Sequence, residues 1–479
     1  MGKTRAEHDS MGAMAVPAEA LYGAQTARAV ENFPISGWPM PDRFIEALGL
    51  VKLAAATSHR QAGRLPRKTA DAIIAAASEV AAGKLTDHFP VDVFQTGSAT
   101  STNMNANEVI ARRATQLLGR KSGSVPSVHP NDHVNMAQSS NDVIPTALHV
   151  AAAVAIARDL LPALAVLGKS LRAKARQFDR VVKIGRTHLM DAVPIRLGQE
   201  FFGYTGQIDA AAFALKGVLP RLCELAIGGT AVGTGLNAPK GFARDVCRLL
   251  AKQTGLPFRE AANHFAAQAT ADAAVAASGA LRGVALAMGK IASDVRLLGS
   301  GPRCGLGEII LPATQPGSSI MPGKVNPVIC ESVIQVACQV AGCDAAVASA
   351  ATGGVGGILE LHVAMPVIAW NLLTAIRLLA NVAWVFEIKC IRGLKANQAR
   401  CRQLVEQSLA MVTVLAPRLG YDAAAALAKE AAASGKTIRQ VCLEKKVLPP
   451  AQLDALLDAR GQTGGAIPTT RGGSKAGRG

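Results

Sequence analysis

The residues best suited to chemistry lie in segment 317–327, which reads Gly-Ser-Ser-Ile-Met-Pro-Gly-Lys-Val-Asn-Pro. Glycine and proline at both ends predict an irregular loop, because glycine allows φ values closed to other residues and proline stops a helix. Ser318 could act as a base or nucleophile, Lys324 could bind a carboxylate, and Asn326 could donate and accept hydrogen bonds. The alternative is an ordinary Gly/Ser/Pro turn, the commonest meaning of such a composition.

Three other polar segments, 98–107, 129–141 and 185–191, also interrupt patterns that are otherwise apolar and helical. Polar groups in apolar surroundings must be hydrogen-bonded or used in function. We therefore expect these segments and the 317–331 region to converge on one pocket, provided that subunits share helices.

His188 and Glu331 are a candidate pair for proton transfer. His188 follows Thr187 in a glycine-led segment that we expect to precede a helix, and Glu331 opens the helix after the 317–327 loop. A carboxylate beside an imidazole orients the ring and raises its basicity. A single histidine is more often structural than catalytic, so this interpretation depends on the two side chains meeting.

The composition predicts an all-α protein with long, closely packed helices. Alanine is abundant, aromatic residues make up 4% and hydrophobic residues 49% of the 479 residues, and alternating β-branched patterns are rare. Such helices cannot bury their apolar faces in one thin bundle, which indicates a core shared between subunits. Helices are predicted at 43–63, 68–82, 142–178 with a kink at Pro162, 196–225, 239–254, 264–298, 327–350, 364–390, 396–416 and 421–434, with a further pair after 436.

The pattern divides the chain into three domains and a tail. Asn141 or Asp142 is the expected N-cap of the first long central helix, which would place Pro145 in its first turn. The predicted parts are a mostly helical N-terminal domain at 1–138, a central long-helix bundle at 139–392, a small helical C-terminal domain at 393–459 and a disordered basic tail at 460–479.

Charge and cysteine content limit the functional classes. The formal net charge is +17, but there is no long basic run and few aromatic residues, so nucleic-acid binding is not favoured, whereas a small dianion would be attracted. Nine cysteines without a C-x-x-C pattern predict reduced thiols in a cytoplasmic protein, and no secretory signal is recognisable after Met1.

Other patterns argue against membrane, metal and nucleotide sites. The longest apolar stretches, 147–168 and 364–386, contain charged or amide side chains and are interpreted as buried helices, not membrane spans. No zinc-ligand spacing is present, so no metal is expected. The glycine-rich segment 228–237 lacks the Lys-Ser/Thr ending of a phosphate-binding loop and is interpreted as a tight connection between helices.

Four motifs together resemble those of class II fumarate hydratases, members of the fumarase/aspartase superfamily. Besides the 317–327 loop, they are His129-Pro-Asn-Asp132, Ser139-Ser-Asn141 and Gly185-Arg-Thr-His188, and the resemblance extends from about residue 8 to 458. It implies a three-domain helical fold, a homotetramer around a central bundle, and active sites that each draw on three subunits. It also implies reversible anti hydration of fumarate to L-malate, a tricarboxylic acid cycle reaction, without metal or organic cofactor.

The resemblance assigns a role to each matching residue. Ser318 would remove the C3 proton of malate, Lys324 and Asn326 would stabilise the resulting carbanion, and His188 with Glu331 would handle the water at C2. The substrate carboxylates and hydroxyl would be bound by Ser98, Thr100, Ser139, Ser140, Asn141, Thr187 and Ser319. A secondary anion site would be formed by His129, Asn131 and Asp132.

Two positions depart from the family pattern, and two other readings stay open. Ala99 stands where glycine is usual, so its methyl group could strain a positive φ, and His362 replaces a usual asparagine. Aspartate ammonia-lyase shares the fold and the loop, but Ser140 and the His129–Asp132 run favour the hydratase. A structural or nucleic-acid-binding relative without activity is disfavoured by the intact set of catalytic residue types.

Overall fold

The computed structural model describes residues 3–119 and 127–465, and helices dominate both ranges, which confirms the all-α prediction. The α-helices of these ranges are α1 Ala24–Asn32, α2 Asp42–Gln61, α3 Arg67–Ala81, α4 Thr100–Leu117, α5 Ser140–Ala155, α6 Leu161–Gln177, α7 Leu197–Leu222, α8 Phe242–Thr254, α9 His264–Ala269, α10 Asp272–Leu298, α11 Val328–Ala350, α12 Met365–Phe386, α13 Gln398–Gln407, α14 Ala416–Leu419, α15 Tyr421–Ser434, α16 Ile438–Glu444 and α17 Pro450–Leu456.

The long helix predicted at 142–178 is present, but its start differs from the prediction. Ser139 is the N-cap, and Asp142 at the third helical position completes a capping box, so Pro145 lies inside the helix and not in its first turn. The π-helical turn Ile156–Leu160 joins α5 to α6 beside Pro162, where the missing N–H of proline disturbs the regular hydrogen bonding.

Two other predicted helices are interrupted. The helix expected at 264–298 consists of α9 and α10, which are separated at Thr270 and Ala271. The helix expected at 396–416 consists of α13, the 3-10 segment Leu409–Leu415 and α14.

The described strands are short and form two-stranded pairs. The pairs are β1 Thr4–Asp9 with β2 Gly12–Pro17, β3 Val182–Thr187 with β4 Met190–Arg196, β5 Glu224–Leu225 with β6 Arg259–Glu260, β7 Ile309–Ile310 with β10 Lys395–Ala396, and β8 Gly357–Ile358 with β9 Leu361–His362. All pairs are antiparallel except β5 with β6.

The chain forms two compact units, each built from separate stretches of sequence. The first unit comprises 1–162, 211–285 and 336–381, and the second comprises 163–210, 286–335 and 382–479. The polar segments 98–107 and 129–141 therefore belong to the first unit, whereas 185–191 and 317–331 belong to the second. The division into domains at 138, 392 and 459 stays a prediction.

In the first unit, α2 is the central helix and packs against α3, α5 and α8. Phe44, Leu48 and Val51 recur on one face of α2 and are 0% exposed. Burying each side chain of this size contributes roughly 1.5–3 kcal/mol. Because α4 packs in turn against α3 and α5, this core fixes the helix starts that carry the first two polar segments.

In the second unit, the β3–β4 hairpin rests on C-terminal elements. β3 packs against α13, and β4 packs against the 3-10 segment Leu409–Leu415. Ile184 of the hairpin belongs to a buried apolar cluster that includes Val405, Leu415 and Leu427. The C-terminal helices thus support the segment that contains His188.

The beginning of the predicted disordered tail is ordered. Residues 461–463 form a 3-10 turn, and the buried guanidinium of Arg196 donates hydrogen bonds to the carbonyl oxygens of Gly464 and Gly465 at 3.0 and 2.6 Å. Arg196 Nε also donates to Asp179 Oδ1 at 2.9 Å. The remainder of the predicted tail, 466–479, lies outside the described residues.

Within the described ranges, four helical stretches are long and apolar enough to cross a membrane by length and composition: Ser140–Gln177, Asp272–Leu298, Val328–Ala350 and Met365–Ile391. The four helices differ in how much of their most apolar 18-residue stretch is buried within one chain. This share ranges from 33% in Val328–Ala350 to 61% in Met365–Ile391. The interpretation of such stretches as buried helices therefore requires a further surface that covers them.

We expect a chain that ends at Ala459 to unfold at a lower temperature than one that ends at Gly465. The shorter chain loses the carbonyl acceptors at Gly464 and Gly465 but keeps Asp179, and a hydrogen bond to a charged group contributes roughly 1.5–3 kcal/mol. Differential scanning calorimetry at equal protein concentration would measure the difference. Equal melting temperatures would show that solvent replaces these acceptors without cost.

Candidate active site

In the first unit, three predicted substrate-binding hydroxyls form one hydrogen-bonded chain. Ser98 Oγ lies 2.8 Å from Thr100 Oγ1, which lies 2.8 Å from Ser140 Oγ. Thr100 and Ser140 are the first residues of α4 and α5. Free N–H groups and the positive ends of two helix dipoles therefore accompany these hydroxyls, an arrangement suited to binding an anion.

Ala99 has the strained backbone that its departure from glycine predicts. Its φ is +55° and ψ +27°, and its methyl group is fully buried as the N-cap of α4. A left-handed conformation costs a residue with a Cβ roughly 1–2 kcal/mol. At the neighbouring Gly97, a Cβ would lie 1.9 Å from the carbonyl oxygen of Val363, so glycine is required there. The turn before α4 thus holds a strained backbone beside the hydroxyl chain.

Asp142 organises the other predicted binding residues of the first unit. Its buried carboxylate accepts hydrogen bonds from the N–H groups of Ser139, Gly228 and Thr230 at 2.9, 2.9 and 3.0 Å. Burial raises the pKa of Asp142 to about 6, against the effect of these hydrogen bonds. Asn141 Nδ2 donates to the carbonyl oxygen of Ala231 at 2.7 Å. The glycine-rich segment is therefore a connection between α7 and α8 that is tied to the start of α5.

The predicted secondary anion residues lie at the π-helical turn Pro130–Val134. His129 is its N-cap, and His129 Nδ1 accepts from the N–H of Asp132 at 3.0 Å. A cavity of about 530 Å³ is lined by His129 and Asn131, together with Arg112 and Gln25. Asp132 is absent from the described lining of this cavity. The turn thus offers a polar recess beside two of its three predicted residues.

In the second unit, the 317–327 loop folds back on itself. The N–H of Gly317 donates to the carbonyl oxygen of Lys324 at 2.8 Å, and Asn326 Nδ2 donates to the carbonyl oxygen of Gly317 at 2.7 Å. A Cβ at Gly317 would lie 2.8 Å from both Asn326 N and Lys324 O, so only glycine fits. Lys324 and Asn326 are thereby fixed within the same loop as Ser318.

Ser318 Oγ accepts two backbone hydrogen bonds from its own loop. The N–H groups of Ile320 and Met321 point at it from 3.2 and 3.0 Å. Local serine–backbone bonds of this kind also occur in ordinary turns. Here their dipoles favour negative charge on Oγ, and the exposed ammonium of Lys324 forms no ion pair within the described chain. The two N–H groups thus favour negative charge on Ser318 Oγ more than bulk water around an isolated turn serine would.

His188 lies at the tip of a hairpin, which corrects the expectation of a loop leading into a helix. His188 and Leu189 form the two-residue turn between β3 and β4, with φ of +55° and +63°. Such turns favour Asn-Gly or Asp-Gly, so the sequence carried no usual turn signal. Both residues are exposed, and α7 starts only at Leu197. Within the described part of one chain, His188 and Glu331 share no hydrogen bond or ion pair.

A buried charge network, which the sequence did not suggest, anchors this hairpin. Glu308 is 0% exposed and accepts from Arg186 Nη1 at 2.9 Å, while Lys183 Nζ lies 3.3 Å from the same carboxylate. Lys183 also donates to Glu200 at 2.8 Å, and burial raises the pKa of Glu200. The register shift between Ile184 and Arg186 interrupts the usual alternation, which brings both cations to one carboxylate.

His362, the second departure from the family pattern, is buried on β9. Its Nδ1 accepts from the N–H of Ala364 at 3.2 Å, which makes Nε2 the protonated nitrogen of the neutral ring. Nε2 has no hydrogen-bond partner among the described residues. Burial lowers the pKa of His362, which keeps the ring neutral.

No group of three or more His, Cys, Asp and Glu side chains within residues 3–119 and 127–465 has the geometry of a metal site.

The structure thus brings the predicted catalytic and substrate-binding residues into three local groups, apart from the secondary anion residues at the Pro130–Val134 turn. The first group lies around the starts of α4 and α5 and consists of Ser98, Thr100, Ser139, Ser140 and Asn141. Thr187 and His188 share the hairpin tip, with Thr187 paired to Met190. Ser318, Ser319, Lys324 and Asn326 lie in the 317–327 loop, and Glu331 lies in the first turn of α11.

Comparison with known proteins gives matches along most of the chain. A family model described as lyase matches residues 12–342, and one described as fumarase C C-terminus matches 411–461. Fumarate hydratase class II 2 of Bradyrhizobium diazoefficiens is 52% identical over 460 residues, which cover 96% of this chain and 97% of the relative. Fumarate hydratase class II of Mycobacterium tuberculosis is 55% identical over 445 residues, which cover 93% and 92% of the two chains.

Solved structures agree with these matches. The crystal structure of class II fumarase from Schistosoma mansoni superimposes with a TM-score of 0.91 at 42% identity, covering 96% of this chain and 98% of that chain. A fumarate lyase from Brucella melitensis superimposes with the same TM-score of 0.91 at 44% identity, covering 97% and 100%.

We expect Glu308→Gln to lower the free energy of unfolding by about 3 kcal/mol, because the amide leaves two cations facing a neutral group. Urea unfolding followed by circular dichroism would measure the loss. Glu224→Gln is the matched control, since Glu224 pairs with Arg259 on the surface, with about half of each side chain exposed; its cost should stay below about 1 kcal/mol. Equal losses in both variants would contradict an anchoring role for Glu308.

Proposed function

Since this chain belongs to the class II fumarate hydratase family, we propose that it catalyses the reversible anti hydration of fumarate to L-malate, a step of the tricarboxylic acid cycle. The observation that carries the proposal is the 317–327 loop, in which Ser318 Oγ accepts two backbone N–H groups. A base for a weakly acidic C–H bond needs such stabilisation of its anionic form.

In the malate-to-fumarate direction, the deprotonated Oγ of Ser318 removes the proton from C3 of malate. The electron pair of the broken C–H bond moves into the adjacent carboxylate, where Lys324 and Asn326 stabilise the added negative charge. The C2 hydroxyl then leaves as water, with a proton supplied through His188 and an ordered water molecule. The double bond between C2 and C3 forms as the C–O bond breaks, which balances atoms and charge.

Substrate binding is assigned to polar groups at the starts of α4 and α5, at the tip of the β3–β4 hairpin and in the 317–327 loop. Two helix N-termini and a chain of hydroxyls at 2.8 Å spacing suit a carboxylate. The proposed contacts are Ser98, Thr100, Ser139, Ser140, Asn141, Thr187 and Ser319.

A secondary anion site is proposed at His129, Asn131 and Asp132. The cavity of about 530 Å³ that reaches His129 and Asn131 supports it. Calorimetric titration with succinate would test it, since His129→Asn should remove a second, weaker binding event. An unchanged titration would assign the turn a structural role.

We propose that the complete site forms in a homotetramer. Glu331 and His188 share no hydrogen bond within the described part of one chain, so the pair is assigned to different subunits. In the apolar helix Val328–Ala350, only 33% of the most apolar 18-residue stretch is buried within one chain, and helices of a tetramer core would cover the rest. A cytoplasmic location is proposed, supported by nine cysteines that form no disulfide.

Aspartate ammonia-lyase is the alternative activity. The relatives compared above are named fumarate hydratases, so they do not favour the ammonia-lyase activity. We expect purified protein to form fumarate, detected by its ultraviolet absorbance, from L-malate and not from L-aspartate. Formation from aspartate alone would transfer the assignment to the ammonia-lyase, and absence of product from both would refute the proposed function.

We expect Ser318→Ala to lower kcat at least 100-fold, because general base catalysis contributes roughly 10²–10⁴-fold. His188→Asn should lower kcat by a similar order. Light scattering should give the mass of a tetramer for both variants and the wild type, which excludes loss of assembly as the cause. Wild-type turnover in either variant would remove that residue from the mechanism, and a monomeric wild type would contradict the proposed assembly.

A further inference from the structure

Lys52 is a buried cation in the core of the first unit. It lies on α2, one residue after the core residue Val51, and is 0% exposed. Its acceptors are two neutral amides: Asn135 Oδ1 at 2.8 Å and Gln138 Oε1 at 3.0 Å. Removing an ammonium from water costs several kcal/mol. Burial lowers the pKa of Lys52 to about 7, although the charge of Asp142 opposes this shift. A residue chosen for stability alone would be apolar here.

The two acceptors of Lys52 control the backbone just before the substrate-binding residues. Asn135 Nδ2 donates to the carbonyl oxygen of Gln138 at 3.1 Å, and Gln138 Nε2 donates to those of Val134 and Met136, also at 3.1 Å. Within this turn, Ala137 has a φ of +60°. The chain passes from this cross-linked turn directly into the N-cap of α5.

A second contact connects the same turn to the other helix start. Asn103 Nδ2, one turn into α4 from Thr100, donates to Asn135 Oδ1 at 3.3 Å. Asn135 Oδ1 therefore accepts from α2 and from α4, while its own chain leads to Ser139 and Ser140. The ammonium lies where the two helix starts of the proposed carboxylate site are joined.

We propose that Lys52 is a positioning residue for substrate binding, which holds the Asn135–Gln138 turn so that the hydroxyls at the starts of α4 and α5 keep their spacing. This inference rests on the proposed function. It assigns Lys52 no contact with the substrate. Loss of its hydrogen bonds should loosen ground-state and transition-state binding alike, which raises KM and leaves kcat nearly unchanged.

The test compares Lys52→Met with Lys174→Met in the full chain. Lys174 is the matched control, because it is 9% exposed and donates to Gln177 Oε1 and to the carbonyl oxygen of Leu394, outside the proposed site. Lys52→Met should raise KM for fumarate about tenfold, with kcat within threefold, whereas Lys174→Met should leave KM within twofold. A folded Lys52→Met with wild-type KM, or an equal rise in both variants, would overturn the proposal.

A second variant covers the case that Lys52→Met fails to fold. Asn135→Ala keeps the ammonium but removes the acceptor that links α2 to α4, so it should also raise KM with little change in kcat. If both single variants fold, their double variant should show a KM rise smaller than the product of the single effects. Wild-type KM in Asn135→Ala, or a double variant whose effects multiply, would contradict the proposed contact chain.

Binding of succinate, a dicarboxylate that cannot be hydrated, separates this proposal from the proposed function. Calorimetry should show about tenfold weaker succinate binding in Lys52→Met than in wild type. Wild-type protein that binds succinate but forms no malate would refute the hydratase alone, and the comparison would still decide on Lys52. Wild-type protein that neither binds succinate nor forms malate would overturn both proposals.

Discussion

Three backbone N–H groups point at the buried carboxylate of Asp142, and the geometry at the start of α5 depends on it. The carboxylate closes the capping box of α5 and also holds residues 228–230, some 86 positions later in the chain. A hydroxyl or amide of similar size could not accept all three N–H groups with the same geometry. One short side chain therefore fixes the backbone on both sides of Asn141.

Each unit places buried charge beneath a polar segment. In the first unit, Lys52 and Asp142 lie behind the residues at the start of α5, and in the second, Lys183 and Glu308 lie behind the hairpin that carries His188. Such groups are costly to bury and add little net stability. What these buried charges share is that their hydrogen bonds are directional. They hold the partner groups at defined distances, whereas apolar packing lets neighbouring elements shift.

The sequence predicted the helical class and the long central helices, because apolar periodicity over many residues is a strong signal. It failed where local chemistry was ambiguous. Ser139, Asn141 and Asp142 are all good N-caps; the capping box between Ser139 and Asp142 and the contacts of Asp142 with residues 228–230 both favour Ser139. The hairpin was missed because His188 and Leu189 are unusual in a turn that requires positive φ at both positions.

The candidate site was likewise predicted from the sequence only in part. The resemblance supplied the residue types, and the strain at Ala99 followed from its departure from glycine. The two N–H groups at Ser318 could not be foreseen, since they depend on the local path of the loop. The same holds for Lys52 and Glu308, whose burial is set by contacts between residues far apart in sequence.

The contacts of Ser318 have a consequence for any motion of its loop. The groups that stabilise a negative Oγ belong to Ile320 and Met321, two and three positions further along, and Lys324 is tied to Gly317 in the same loop. Ser318 and the N–H groups that point at its Oγ therefore belong to one short segment. A motion of this segment as one piece would therefore change the distance between Oγ and a bound molecule while both N–H donors stay beside Oγ.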